Sequence, residues 1–344
     1  MKALVMESYK ELHYQDVPTP SVTSTHDVLV RVKAAAICGS DVHGFDGSTG
    51  RRKPPVIMGH EASGEIVDVG EQVKDFHIGD RVTFDSTIYC GTCRYCRNGE
   101  VNLCDNRRVL GVSCDEYRQD GTFAEFVLVP DHIVYRMPKG LSFVEAALAE
   151  PAAVAAHALR ITPVQLNETV AVVGSGLIGL LLIQILRAST SGTIVALDTD
   201  GDRRKSALEF GADAALDPAD SRLEDLLKEA TGSSSVDRVF EAVGATNPIK
   251  TAISIVRKGG SVTLIGNVSP TIELPLQQVV TRQITLYGSC AMAGEYPIVL
   301  DLMAQKKIDV MPLVSATAPL EEGQLWFERL YRREPGLLKV VLEP

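Results

Sequence analysis

Val170-Ala171-Val172-Val173-Gly174-Ser175-Gly176-Leu177-Ile178-Gly179 is an apolar run that breaks into spaced glycines and then resumes as an apolar, helix-like stretch. Four β-prone residues followed by Gly-x-Gly-x-x-Gly describe a strand, a tight turn and the opening of a helix. In that context the glycines let a pyrophosphate approach the helix N-terminus closely. The motif alone is common, and Asp198 gives it meaning. It lies nineteen residues beyond Gly179 at the end of the strand-like stretch 193–197. A carboxylate there accepts hydrogen bonds from adenosine ribose hydroxyls and repels a 2'-phosphate. Gly174, Gly176, Leu177, Ile178, Gly179 and Asp198 are therefore expected to bind NAD.

Downstream the alternation continues, with strand candidates at 214–216, 238–242, 261–265 and 284–287 and helical ones at 203–210, 221–230 and 248–256. With 169–173 and 193–197 this makes six strands, which suits a doubly wound parallel sheet, an α/β fold of the Rossmann kind. Val243, Ile265, Gly266, Asn267, Ser289 and Cys290 follow strand candidates, where ligands approach such sheets, and are expected near the cofactor. Upstream, short β-rich runs at 3–6, 28–33, 64–69, 81–84 and 123–129 alternate with Gly, Pro and Asp turns, which predicts a small barrel-like β domain. Ser142 with Glu145 forms a capping-box signature opening a helix over 142–159. The tail has a helix candidate at 296–305 and a strand-like 338–342, too little for its own core, so it is expected to return to the first domain. The expected division is 1–151, 152–287 and 288–344.

A chain of 344 residues favours two cores, and its 34 basic against 44 acidic residues give a net charge of -10. That charge opposes the phosphate contacts that carry nucleic-acid affinity, so no nucleic-acid partner is expected. The N-terminus lacks a basic segment followed by an apolar core, and the most apolar run, 177–186, is broken by Gly179 and Gln184. A cytoplasmic protein without a membrane partner is expected. An odd count of seven cysteines, four of them between 90 and 104, fits metal ligation in a reducing compartment better than a disulfide framework.

Cys90-x2-Cys93-x2-Cys96-x7-Cys104 places four thiolates within fifteen residues, a spacing that encloses one tetrahedral zinc with no position left for water. Such a closed site stabilises a loop. Cys38, in Cys38-Gly39-Ser40-Asp41-Val42-His43, and the pair His60-Glu61 offer thiolate, imidazole and carboxylate, the mixture of catalytic zinc sites that keep one position open. By spacing alone, ordinary core and surface roles compete with ligation there. Cys114 and Cys290 fall outside both sets and read as buried thiols.

These segments, together with Gly59-His60-Glu61-Ala62-Ser63-Gly64, the four-cysteine loop, Glu150-Pro151 and the glycine motif, stand in the order of one family. The chain resembles the medium-chain, zinc-containing alcohol dehydrogenases, and within them the sorbitol and polyol dehydrogenase branch. The resemblance implies a GroES-like β-rich catalytic domain with a Rossmann domain inserted, and a cleft holding NAD and the open zinc. It implies catalytic zinc on Cys38, His60 and either Glu61 or Glu150. It implies too that Ser40 binds the substrate hydroxyl and passes its proton towards His43, and that Arg203 lies against the adenine. The reaction would move hydride from a secondary hydroxyl carbon of a polyol or similar small alcohol to NAD, giving a ketone. A non-catalytic nucleotide-binding protein, or a dehydrogenase for threonine, butanediol or a phosphorylated hexitol, is the alternative. Animal sorbitol dehydrogenases carry an arginine and a tyrosine where Ala291 and Met292 align, which counts against sorbitol itself. Arg51-Arg52-Lys53 reads as a solvated basic loop, or else as a contact for a substrate phosphate. A homotetramer or a dimer joined near 284–287 is expected.

Overall fold

The computed structural model describes residues 1–114 and 117–344. The chain forms two units, Met1–Glu150 with Tyr296–Pro344, and Pro151–Glu295.

In the second unit six strands, all parallel, lie in the order Ala214–Leu216, Ile194–Leu197, Val170–Val173, Val236–Glu241, Val256–Leu264 and Thr285–Gly288. In chain order this is 3-2-1-4-5-6, so the order reverses beside Val170–Val173, where ligands bind outside the carboxyl ends of the strands. Val170–Val173 and Ile194–Leu197 are buried along their whole length. Helices cover both faces of such a sheet, which explains why these strands read as unbroken apolar runs. Ala171, Val195, Val239, Ile253 and Val262 belong to the core beneath them. The helix Leu177–Ser189 buries Leu180 to Leu186 and starts at Gly176, which caps it without a side-chain bond.

The first unit is built on a seven-stranded sheet. Its path runs Val134–Arg136, Arg81–Phe84, Glu61–Val69, Asp27–Ala36, Lys339–Glu343 and Val314–Pro319, with Phe126–Pro130 also paired to Asp27–Ala36. A three-stranded sheet of Glu11–Asp16, Lys2–Ser8 and Val56–Ile57 adjoins it in sequence, and Val28, Val30, Ile66, Phe84, Phe123 and Phe327 form its core. The tail does return to this unit, because Lys339–Glu343 hydrogen-bonds antiparallel to Asp27–Ala36 with Val341 opposite Ala36. No described helix is long and apolar enough to cross a membrane.

Two expectations need correction. The second boundary falls after Glu295, not before residue 288. Thr285–Gly288 is still in the parallel sheet, and Glu295 Oε1 binds His157 Nδ1 at 2.9 Å and Arg160 Nε at 2.6 Å within the second unit. The single helix over 142–159 is two, Phe143–Ala147 and Ala149–Ile161, interrupted at Leu148. Pro151 has no N–H to continue a helical ladder, and the restart places it in a first turn, where none is needed. The capping box of Ser142 and Glu145 is present.

Candidate active site

Sheet register builds the mixed site. Ala36 pairs with Glu61, so the end of Asp27–Ala36 stands beside the start of Glu61–Val69, with His60 just ahead of it. Two residues past Ala36, Cys38 caps the short helix Gly39–Gly44, its Sγ accepting from Ser40 N at 3.4 Å while Asp41 Oδ2 accepts from Cys38 N at 3.2 Å. These two bonds fix the thiol's direction. One ligand atom each from Cys38, His60 and Glu61 then lies within 4.8 Å of the others. Ser40 Oγ is 3.5 Å from His60 Nε2.

Charged partners surround this group. The buried Lys339, at the start of the tail strand, donates to Glu61 Oε2 at 2.6 Å and to Oε1 at 2.9 Å. Asp41 is wholly buried. Burial would raise its pKa, yet the facing His60 and Arg52 outweigh that and hold its carboxyl well below the usual range. For His60 burial works against the charge, but Asp41 and Cys38 prevail and raise the imidazole well above its ordinary value. Thiol, imidazole and carboxylate within 4.8 Å of one another make the donor set that fits a divalent metal. With Asp41 Oδ1 3.4 Å from Nδ1, Nε2 is the nitrogen left to ligate. Glu150 is outside the tight group. It is buried beside it, accepts from Ser86 Oγ at 3.0 Å, and is pushed up to about 7 by burial and by the Glu61 charge.

The four cysteines Cys90, Cys93, Cys96 and Cys104 form the second group, their sulfurs also within 4.8 Å of one another and none in a disulfide. Backbone N–H groups of Cys93 and Asn106 point at Cys90 and Cys104 sulfurs at 3.4 and 3.3 Å. Hydrogen bonds from Thr92 and Cys93 pull Cys90 down to about 5, whereas Cys96 is pushed up to about 12 by burial and its neighbouring sulfurs. Four thiolates this close repel one another unless a cation lies among them, so the donor set fits one soft divalent metal.

The nucleotide residues share one edge of the parallel sheet, because each follows the carboxyl end of a strand. Gly174 has φ +95°, and a Cβ there would meet Val243 Cγ2 at 2.5 Å. A Cβ on Gly179 would come 1.9 Å from Gly174 O, so only glycine lets the helix approach the strand. Above Gly176 the space is open, beside the uncapped start of the helix Leu177–Ser189, with Leu177 and Ile178 in its first turn. Asp198 is buried, its Oδ2 accepting from Ser175 N at 2.7 Å and its Oδ1 from Asp200 N at 2.9 Å. The loop with Val243 is held by Glu241, whose Oε1 accepts from Val243 N and Gly244 N, both at 2.9 Å. The adjoining Gly266 packs against it backbone to backbone. Ile265 and Asn267 flank that glycine. Ser175 and Ser289 carry buried hydroxyls with no partner, which a polar ligand at this edge would satisfy. These features fit a dinucleotide.

Residues 24–139 match the alcohol dehydrogenase GroES-like domain and residues 178–305 match the zinc-binding dehydrogenase domain. A sorbitol dehydrogenase of Halalkalibacterium halodurans is 34% identical, with 100% of this chain and 99% of that one covered. The chain belongs to the zinc-containing medium-chain alcohol dehydrogenases. It falls in their polyol branch, and it is an enzyme. D-arabitol-phosphate dehydrogenase of Enterococcus avium is 32% identical over 97% of this chain and 94% of its own. A Sinorhizobium meliloti structure solved with NADP superposes with a TM-score of 0.89 at 32% identity, covering 100% and 99% of the two chains.

The other residues read from the sequence lie as follows. Arg52 is not solvated but 3% exposed, its Nη2 bonded to Asp41 Oδ1, so it is not available to a substrate phosphate. His43 is exposed in the last turn of Gly39–Gly44, and no hydrogen bond joins it to Ser40. Cys114 and Cys290 are half-buried, not buried. Arg203 is exposed, while the neighbouring Arg204 is tied to Asp198 O at 2.7 Å. Sequence reasoning missed Asp41, Lys339, Ser86 and Glu241. Only Asp41 had a local signal, three residues after Cys38 as in a capping box.

Proposed function

We propose that this dehydrogenase oxidises a secondary hydroxyl of an unphosphorylated polyol or similar small alcohol to a ketone, with NAD as hydride acceptor and zinc held by Cys38, His60 and Glu61. The observation that carries the reading is the meeting of those three ligand atoms within 4.8 Å, beside Ser40 Oγ. Zinc there supplies a Lewis acid for the substrate oxygen, and NAD takes the hydride. Ser40 Oγ accepts the hydroxyl proton. His43, exposed on the same short helix, takes it on to solvent through water. Asp41 orients His60, and Lys339 neutralises Glu61 so that the pocket does not accumulate negative charge. Glu150 is the second buried carboxylate and would stand in for Glu61 as ligand to a bound zinc. Cys90, Cys93, Cys96 and Cys104 hold a structural zinc, so two ions per chain are expected.

In the nucleotide site, each Asp198 oxygen spends one lone pair on a backbone N–H and keeps the other for a ribose hydroxyl, which favours NAD over NADP. Ser289 and Cys290 lie towards the nicotinamide and Arg203 towards the adenine. Thr285–Gly288 ends the parallel sheet with Tyr287 exposed, an edge on which a second copy would pair to give the homo-oligomer. Cysteines without disulfides suit the cytoplasm.

Steady-state rates with ethanol, 2,3-butanediol, sorbitol, galactitol and a hexitol phosphate, each against NAD and NADP, test the reading. The vicinal diol or a polyol with NAD should give the highest kcat/KM. A preference for ethanol removes the polyol reading, and a preference for the phosphate reopens the basic loop as a binding element.

A further inference from the structure

Arg52 has no role in the chemistry described so far, yet it is buried against it. Its Nη2 group donates to Asp41 Oδ1 at 2.8 Å and to Ser40 Oγ at 3.2 Å. Glycine at position 44 makes room for it, since a Cβ there would stand 2.6 Å from Arg52 Cδ. Its Nε is buried with no partner. An unmet buried donor costs about 1–3 kcal/mol, so pairing with Asp41 leaves part of the guanidinium's donor capacity unused. The ion pair with the buried Asp41 accounts for a cation here, but not for the second bond that the same nitrogen makes to Ser40 Oγ.

We propose that Arg52 is a positioning residue for proton removal, setting the direction of the Ser40 hydroxyl and holding Asp41 against His60. This rests on the reading of Ser40 as proton acceptor. A serine hydroxyl has two acceptor positions and one hydrogen. Arg52 fills one acceptor position and leaves the other for the substrate O–H. Ser40 gives its own hydrogen to water as it takes the substrate's, while the carbon's hydride leaves with its electron pair to NAD. The guanidinium stabilises negative charge that builds on Oγ during this exchange. Through its other bond Arg52 shares Asp41 Oδ1 with His60 Nδ1. That contact, at 3.4 Å, holds the carboxylate in place beside the imidazole and so fixes the ring's orientation towards a metal.

The test uses the purified, metal-loaded enzyme and the variants Ser40→Ala, Arg52→Met, Arg52→Lys and Ser40→Ala/Arg52→Met. Arg52→Met should lower kcat per folded molecule about 10- to 100-fold, with metal content per folded molecule and KM for NAD unchanged and the solvent deuterium isotope effect on kcat increased, and with a lowered melting temperature because Asp41 loses its cation. Arg52→Lys should recover part of the rate. In the Ser40→Ala background the same change should cost less than about 3-fold, because its target is already gone. Cobalt-loaded Arg52→Met should show shifted visible bands without any turnover. An equal cost in both backgrounds, a loss only in step with lost metal or folded protein, or unmoved cobalt bands would each overturn the proposal. Full turnover by Ser40→Ala would instead remove the Ser40 reading beneath it.

Discussion

The two metal-ligand constellations of the first unit are built in opposite ways. Cys90, Cys93, Cys96 and Cys104 come from fifteen consecutive residues, with sulfurs alone and backbone N–H groups turned on them. The other site takes Cys38 from a helix cap, His60 and Glu61 from the start of a strand, and its counter-charge from Lys339 in the tail. One is a local loop whose chemistry is uniform and closed. The other is a junction of three neighbouring strands, mixed in donor type and lined by ion pairs, as a centre with an open position requires. A site that only holds a loop needs local spacing, whereas a site that acts needs distant charges to balance it.

That contrast breaks most visibly at His60. His60→Ala should reduce turnover by roughly a thousandfold or more, the scale set by losing electrophilic stabilisation of a developing oxyanion, while fluorescence titration still detects nucleotide binding. Retained turnover would make the two sites alike. Lys339→Met leaves Glu61 buried without its cation, a change that costs about 3–5 kcal/mol of stability and is read by chemical denaturation. A loss below about 1 kcal/mol would mean that the remote lysine does not matter to the junction. The smallest effect should come from Cys96→Ser. Treated as the loss of a cross-link closing fifteen residues, it should cost about 3 kcal/mol or less, with one zinc fewer by metal analysis and kcat per folded molecule largely kept. If turnover disappears at an unchanged melting temperature, the four-cysteine loop takes part in catalysis and the distinction fails.

Legibility in the sequence followed the same division. The glycine motif, Asp198 and the four cysteines were readable because each depends on residues near one another in the chain. The fully buried strands Val170–Val173 and Ile194–Leu197 were readable as apolar runs, and the tail's return followed from its being too short for a core. The two-residue strands Val56–Ile57, Thr87–Ile88 and Arg108–Val109 are too brief to carry a period. Arg52 read as part of a solvated run because a guanidinium is buried only where a partner waits. Its partner Asp41 meets it through the fold. Lys339 carried no signal at all, being a lysine at the start of a short final strand whose other end is the exposed Glu343.

The sequence by itself determined the parallel nucleotide-binding sheet, the closed cysteine loop and the order of the ligand segments, since periodicity and short spacings act over a few residues. Tertiary structure brought Glu61 within 4.8 Å of Cys38 and His60 while Glu150 lies outside that group, and made Lys339 and Arg52 the counter-charges. The physical reason is register. The pairing of Ala36 with Glu61 and with Val341 brings residues some three hundred positions apart to one point, and the electrostatics of that point exist only once the three strands are aligned.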